Sequence, residues 1–285
     1  MWNEVTLTGF ADEIDPMLDR QIEVLKKLGM NRIEMRGVNG KPLIEHSMEA
    51  VSEIKKRLDD EGFALSSVGS SIGKIGITDD FGPHFDLFEH TVEVAHVMDT
   101  PNIRMFSFYL PEGADPARYE GEVIDRLGRM ADYAKRNDVV LLHENEKGIY
   151  GDNAARCAEI MKDFYGPHFK AVFDFANFVQ VGQETLPAYE ALKPYIAYVH
   201  VKDAHFGTGA VCPAGSGDGH VAEILGALKA SGYKGYLSLE PHLADFSGFS
   251  ALELHSGFAG EPHKLSGEEA FTLAHDALVK ILQVL

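Results

Sequence analysis

Short apolar runs alternate with amphipathic stretches from one end of the chain to the other, eight times over. The runs lie at 5–10, 32–36, 63–68, 103–108, 139–146, 170–175, 196–202 and 236–240. Each is short and bounded by polar or glycine-containing segments, as buried strands are. Between them, apolar residues recur at helical spacing: Ile22, Leu25 and Leu28 ahead of Gly29, then Val51, Ile54 and Leu58 ahead of Gly62. That spacing predicts helices, each stopped by its glycine. Asp15-Pro16 and Asp115-Pro116 are helix-start signals, and Asp152 is placed to cap a helix running to 161. Further helices are predicted over 48–60, 85–98, 184–192, 221–231 and 268–284. Eight strand–helix alternations without a linker predict a parallel sheet closed as a (β/α)8 TIM barrel, a single domain over 1–285. An open doubly wound sheet would carry a glycine-rich phosphate turn after its first strand, and Gly9-Phe10-Ala11-Asp12 is not one.

The fifth run, Val139-Val140-Leu141-Leu142-His143-Glu144-Asn145-Glu146, stops abruptly in acid. In barrels of this kind the strands build the core and their C-terminal ends hold the chemistry. Because side chains alternate along a strand, parity assigns the inward face. Ile33 and Met35 belong outside, which turns Arg32, Glu34 and Arg36 to the axis. The same argument places Leu142 with Glu144, Val172 with Asp174, Tyr198 with His200 and Lys202, and Ser238 with Glu240. A lone carboxylate at a strand end is usually a helix cap or a loop ion pair, and Lys202 and Asp203 can simply pair with each other. Glu34, Glu144, Asp174, His200 and Glu240 come from five strands and converge, which that reading does not explain. Gathered carboxylates repel and are costly to bury unless a positive charge sits among them. Glu144, Asp174, His200 and Glu240 would hold one divalent metal ion; Mn²⁺ leads the expectation, with Mg²⁺, Co²⁺ and Zn²⁺ as alternatives.

Bulk properties narrow the partners. The formal charge of −18 argues against nucleic acid, whose phosphates need Lys and Arg to neutralise them. No apolar run approaches the roughly 20 residues of a membrane helix. Met1-Trp2-Asn3-Glu4 lacks the basic start of a signal peptide, and Cys157 and Cys212 are too few for a disulfide framework. The expectation is a cytoplasmic enzyme acting on a small molecule.

Four motifs then occur in order. His143-Glu144-Asn145-Glu146, Asp174-Phe175-Ala176-Asn177, His200-Val201-Lys202-Asp203 and Glu240-Pro241-His242 resemble the strand-end motifs of the xylose-isomerase-like TIM barrels. Those are the sugar-phosphate isomerase/epimerase group, AP endonuclease family 2, which also includes endonuclease IV. The resemblance runs from Gly9 to the last helix and is densest from Leu141 to His242. It implies that Glu144, Asp174, His200 and Glu240 are metal ligands, that Glu144 and Glu240 are the catalytic acid/base pair, and that Glu34 is a substrate-side carboxylate. The implied chemistry is isomerisation or epimerisation of a sugar or sugar phosphate by proton transfer through a cis-enediolate. Arg36, Asn177 and Lys202 are expected to hold hydroxyls or a developing oxyanion, and His242 is counted with the substrate side. Glu146 is either a further mouth residue or a loop residue. An alternative on the same scaffold is a lyase that dehydrates a keto-inositol or related polyol. An abasic-site endonuclease would need further histidines from the early strands, whose ends (Phe10, Arg36, Gly69, Phe108) offer none. A non-catalytic sugar-binding protein would not need the acid/base pair.

Two loops bear on specificity. Gly215-Ser216-Gly217-Asp218-Gly219-His220 lies where barrels often bind phosphate, and it either cradles one or makes a tight turn. The segment 242–266, with Phe246, Phe249, His255 and Phe258, is expected to be a lid or a subunit contact in a homo-oligomer. His84, His90, His96 and His143 are expected to be packing or surface residues, while His205 and His242 lie nearer the mouth.

Overall fold

All eight runs form strands of one parallel sheet in the computed structural model, which describes residues 2–244 and 265–285. They are β1 (Thr6–Gly9), β2 (Arg32–Met35), β3 (Ala64–Gly69), β4 (Asn102–Met105), β5 (Val140–Glu144), β6 (Phe169–Asp174), β7 (Ile196–Val201) and β8 (Tyr236–Leu239). Hydrogen-bonded neighbours follow the order β1-β8-β7-β6-β5-β4-β3-β2, and β1 packs beside β2 to leave a nearly closed barrel. The helices around it are α1 (Leu18–Lys27), α2 (Met48–Asp60), α3 (Phe81–Val97), α4 (Glu120–Arg136), α5 (Ala154–Phe164), α6 (Phe175–Gln180), α7 (Thr185–Leu192), α8 (Val221–Ala230) and α9 (Gly267–Val284). Among the described residues no helix is long and apolar enough to cross a membrane.

The apolar half of each strand pattern faces the helices. Ile33, Leu141, Phe173, Val199, Leu237 and Leu239 are fully buried in the main core. The axis is different. Leu142, Val172 and Tyr198 form a small apolar plug at its base. Above it Thr8 and Ser66 share a hydrogen bond of 2.7 Å, and Ser66 meets the Tyr198 hydroxyl at 2.8 Å. This polar layer replaces the branched apolar residues that usually fill such a barrel.

Several boundaries differ from the sequence expectation, each for a local reason. Asp80 caps α3 by accepting from the Gly82 amide at 3.0 Å, so the helix begins at Phe81 rather than 85. Asn153, not Asp152, caps α5, and Asp152 instead pairs with Arg156. Helix α6 follows β6 without a loop because the Asp174 side chain accepts from the Asn177 amide. Strand β4 stops at Met105, since Phe106 and Phe108 donate to Ile72 and Gly73 on the neighbouring loop. The proposed lid residues Phe246, Phe249, His255 and Phe258 lie outside the described residues.

Leu141→Ala should cost about 2–5 kcal/mol, because its side chain is fully buried between sheet and helices and leaves a cavity. Urea unfolding measures this; a loss below about 1 kcal/mol would show that the outward face of β5 is not core.

Candidate metal centre

The inward residues meet at the C-terminal end of the barrel. Glu144 ends β5, Asp174 ends β6, His200 is the penultimate residue of β7 and Glu240 directly follows β8. Ser238, His200 and Asp174 are register partners across β8, β7 and β6, which levels them around the axis. Glu144, Asp174, His200 and Glu240 are all buried, and each offers a donor atom within 4.8 Å of the other three.

Both nitrogens of His200 face carboxylates. Nδ1 lies 2.9 Å from Glu144 Oε1 and 3.5 Å from Glu240 Oε2, on the ligand side. Nε2 lies 3.0 Å from Glu34 Oε2, which also accepts from the Ser238 hydroxyl at 2.6 Å. Burial disfavours a charged ring, but Glu144 and Glu34 overcome it and raise the His200 pKa well above its usual value. The structure thus places Glu34 fully buried behind the imidazole, where it fixes the ring's orientation.

Three fixed cations hold the remaining carboxylates. Arg104 donates to Glu144 Oε2 at 2.9 Å. Lys202 Nζ lies 3.1 Å from Glu240 Oε2 and 3.3 Å from Asp174 Oδ2. It therefore joins this group rather than Asp203, whose oxygens are taken by backbone amides. Arg36 spans Asp12, Glu13 and Glu240, at 2.8, 3.2 and 3.3 Å. Phe10 supports both guanidinium groups, with Arg36 4.5 Å and Arg104 5.0 Å from its ring centre. Asn177 donates to Glu144 Oε1 at 3.3 Å and to the Asn145 carbonyl at 3.0 Å. His242 donates its backbone N–H to Glu13 and brings Nε2 to 3.4 Å from Glu240 Oε1. Glu146 pairs with Lys74 at 2.9 Å.

Titration follows from this crowding. Burial opposes ionisation of Glu144, but His200 and Arg104 hold its pKa down at about 2. Burial likewise opposes Glu240, which Lys202 and His242 nonetheless draw well below the usual carboxylate range. For Asp174 burial prevails and pushes the pKa up to about 7; Lys202 opposes the rise while Glu240 and Glu144 add to it. Asp174 Oδ2 is buried and accepts no hydrogen bond among the described residues. A divalent cation fits this donor set of three carboxylates and one imidazole, and Asp174 Oδ2, paired with Lys202 at 3.3 Å but accepting no hydrogen bond among the described residues, has lone-pair capacity left for it.

The structure brings together the acids that parity turns inward, and it adds four residues that the sequence reading missed. Arg104 follows from parity, since Ile103 and Met105 are the outward residues of β4. Asp12 and Glu13 lie in a short 3₁₀ turn after β1, where no periodicity places them. Asn145 clamps Asp174 from both sides, donating to its carbonyl at 3.0 Å and accepting from its amide at 2.9 Å. His143 is buried on the outward face of β5, as expected, and His205 is half exposed beside Asp218.

The chain belongs to the xylose isomerase-like TIM barrel family, whose model matches residues 22–268. It is similar to a 3-dehydroshikimate dehydratase of Bacillus anthracis, 19% identical over 175 residues, 61% of this chain. The match spans 62% of that enzyme's length. A D-tagatose 3-epimerase-like protein superposes with a TM-score of 0.74 at 15% identity, covering 98% of each chain. The IOLI protein, solved with a bound zinc atom, superposes at 0.72 and 16% identity over 98% of this chain and 99% of its own. At these identities the superpositions establish the fold alone.

Glu34→Gln should weaken divalent-metal binding by roughly 10- to 100-fold, read by competition with a chelating dye, because the imidazole loses the carboxylate that orients it. Unchanged affinity would remove that role from Glu34. Coordination needs Asp174 ionised and the ligating nitrogen of His200 free of its proton, so affinity should rise as pH rises through about 7 and keep rising above it until the imidazole is neutral. Calorimetry in buffers of different ionisation enthalpy should show proton release on binding below that pH.

Proposed function

We propose that the protein is a divalent-metal-dependent isomerase or epimerase of a sugar, working by proton transfer through a cis-enediolate. The observation that carries this reading is the convergence of Glu144, Asp174, His200 and Glu240 donor atoms within 4.8 Å, at the end of a barrel where chemistry is usually housed. A bound ion would polarise two adjacent oxygens of a hydroxy-aldehyde or hydroxy-ketone and acidify the C–H between them. Glu144 and Glu240 come from β5 and β8, with β6 and β7 between them in the ring, and so flank a substrate seated between them. One carboxylate removes the carbon-bound proton. Its return on the opposite face of the same carbon epimerises, and its return at the neighbouring carbon isomerises. Lys202 and Asn177 would steady hydroxyls or the negative oxygen that develops. Lys202 and His242 keep Glu240 ionised, Arg36 pairs with its Oε1, and Glu34 serves His200 rather than the substrate.

A second reading is a dehydratase on the same centre, favoured by the likeness to the 3-dehydroshikimate dehydratase. The enediolate would expel a β-hydroxyl instead of taking back a proton. Lys202, held protonated beside Glu240 and Asp174 despite burial, is a suitable acid for the departing hydroxide. Release of water with a product absorbing in the ultraviolet separates the two.

Glu144→Gln and Glu240→Gln should each reduce turnover by at least about 10²-fold with the fold intact by circular dichroism. Full activity in either variant would end the acid/base assignment. EDTA should abolish turnover and Mn²⁺ or a similar ion restore it; activity indifferent to EDTA would refute the metal's role. Proton exchange in D₂O across a panel of aldoses and ketoses reports the enediolate whatever the product, and absence of exchange with every member would refute the mechanism.

A further inference from the structure

The loop between β7 and α8 has the glycines of a phosphate cradle, yet the cradle is already filled. Asp203, fully buried, accepts from the amides of Gly215 and Gly217 through Oδ2, at 2.9 and 3.0 Å. Its Oδ1 accepts from the amides of Gly219 and Ala204, both at 2.9 Å. Successive backbone N–H groups turned to one point are how loops bind anions, and here that anion is a side chain of the same chain. The fit is close. A methyl carbon added at Gly217 would come within 2.5 Å of Asp203 Oδ1, and one at Gly219 within 2.7 Å. Asp218 locks the loop further: its amide donates to Ala204 O at 2.8 Å and its Oδ2 accepts from Phe206 N at 2.7 Å.

We infer that Asp203 is a built-in substitute for phosphate that closes the β7–α8 loop to anions and makes this a centre for substrates carrying no phosphate at that end. A phosphate could enter only by displacing a carboxylate of like charge from four N–H donors, and Asp218 would add its own repulsion. This deepens the reading of the centre as one for polyhydroxylated carbonyl compounds, on which it rests, by choosing free over phosphorylated substrates. The closed cradle itself stands on the hydrogen bonds alone.

The test is a titration of ¹⁵N-glycine-labelled protein with inorganic phosphate, followed at the amide resonances of Gly215, Gly217 and Gly219. In the wild type these should stay still at millimolar phosphate; saturable movement would overturn the inference. In Asp203→Ala the emptied cradle should bind phosphate, and the same resonances should move saturably. A folded alanine variant whose resonances stay still would also overturn it, because the loop would then not be an anion cradle. Should that variant not fold, the wild-type titration decides alone. No turnover enters either readout, so a failure of the isomerase or dehydratase chemistry is seen separately in the exchange assay.

Discussion

The rest of this structure depends on an excess of buried negative charge at one end of the barrel. Asp12, Glu13, Glu34, Glu144, Asp174 and Glu240 are gathered there, all buried, against Arg36, Arg104 and Lys202. Desolvating so many carboxylates is tolerable only when each finds a cation or gives up its charge. Both responses are visible. Glu144 and Glu240 keep theirs through Arg104, Lys202 and His200. Burial drives Glu13 up to about 8, against Arg36 and with help from Glu240 and Asp12, and drives Asp174 up to about 7. A divalent ion would relieve the same imbalance without those protons, so the packing of the acids is what makes this cluster one that could hold a cation.

Packing also limits how far the group can relax. Phe10 meets the His200 ring edge-on, with centroids 5.2 Å apart, and supports both arginines. Asn145 fixes the backbone of Asp174, and the Asp174 side chain in turn starts α6. Below them Ser238 and Glu34 hold His200 from the side away from the ligands. Ligands oriented by strands and by buried hydrogen bonds need little reorganisation when charge develops on a substrate. The polar layer of Thr8, Ser66 and Tyr198 provides the footing for this second tier.

Two neighbouring residues show how strand geometry divides labour. Lys202 and Asp203 are adjacent in sequence, but the two-residue period sends them to opposite sides of the chain as it leaves β7. Lys202 enters the candidate metal centre and bonds Glu240, while Asp203 turns into the following loop and organises its amides. An ion pair between them would have cost the centre a cation and left the loop without its core.

Periodicity in the sequence determined the barrel and the four candidate ligands. Alternation within a strand is a local property, so Ile33 and Met35 outside require Glu34 inside, and Val199 and Val201 outside require His200 and Lys202 inside. Local chemistry also located most of the helices, missing their first residues where Asp80 and Asn153 proved to be the caps. Only the tertiary structure decided which groups share a partner. That Glu34 faces the back of His200, that Arg104 reaches Glu144, and that Asp12 and Glu13 meet Arg36 depends on strand stagger and on the path of the turn after β1. That Asp203 fills its own loop depends on chain closure across 16 residues, up to Gly219. Contacts of this kind join residues far apart in sequence, and no local pattern of hydrophobic and polar positions encodes them.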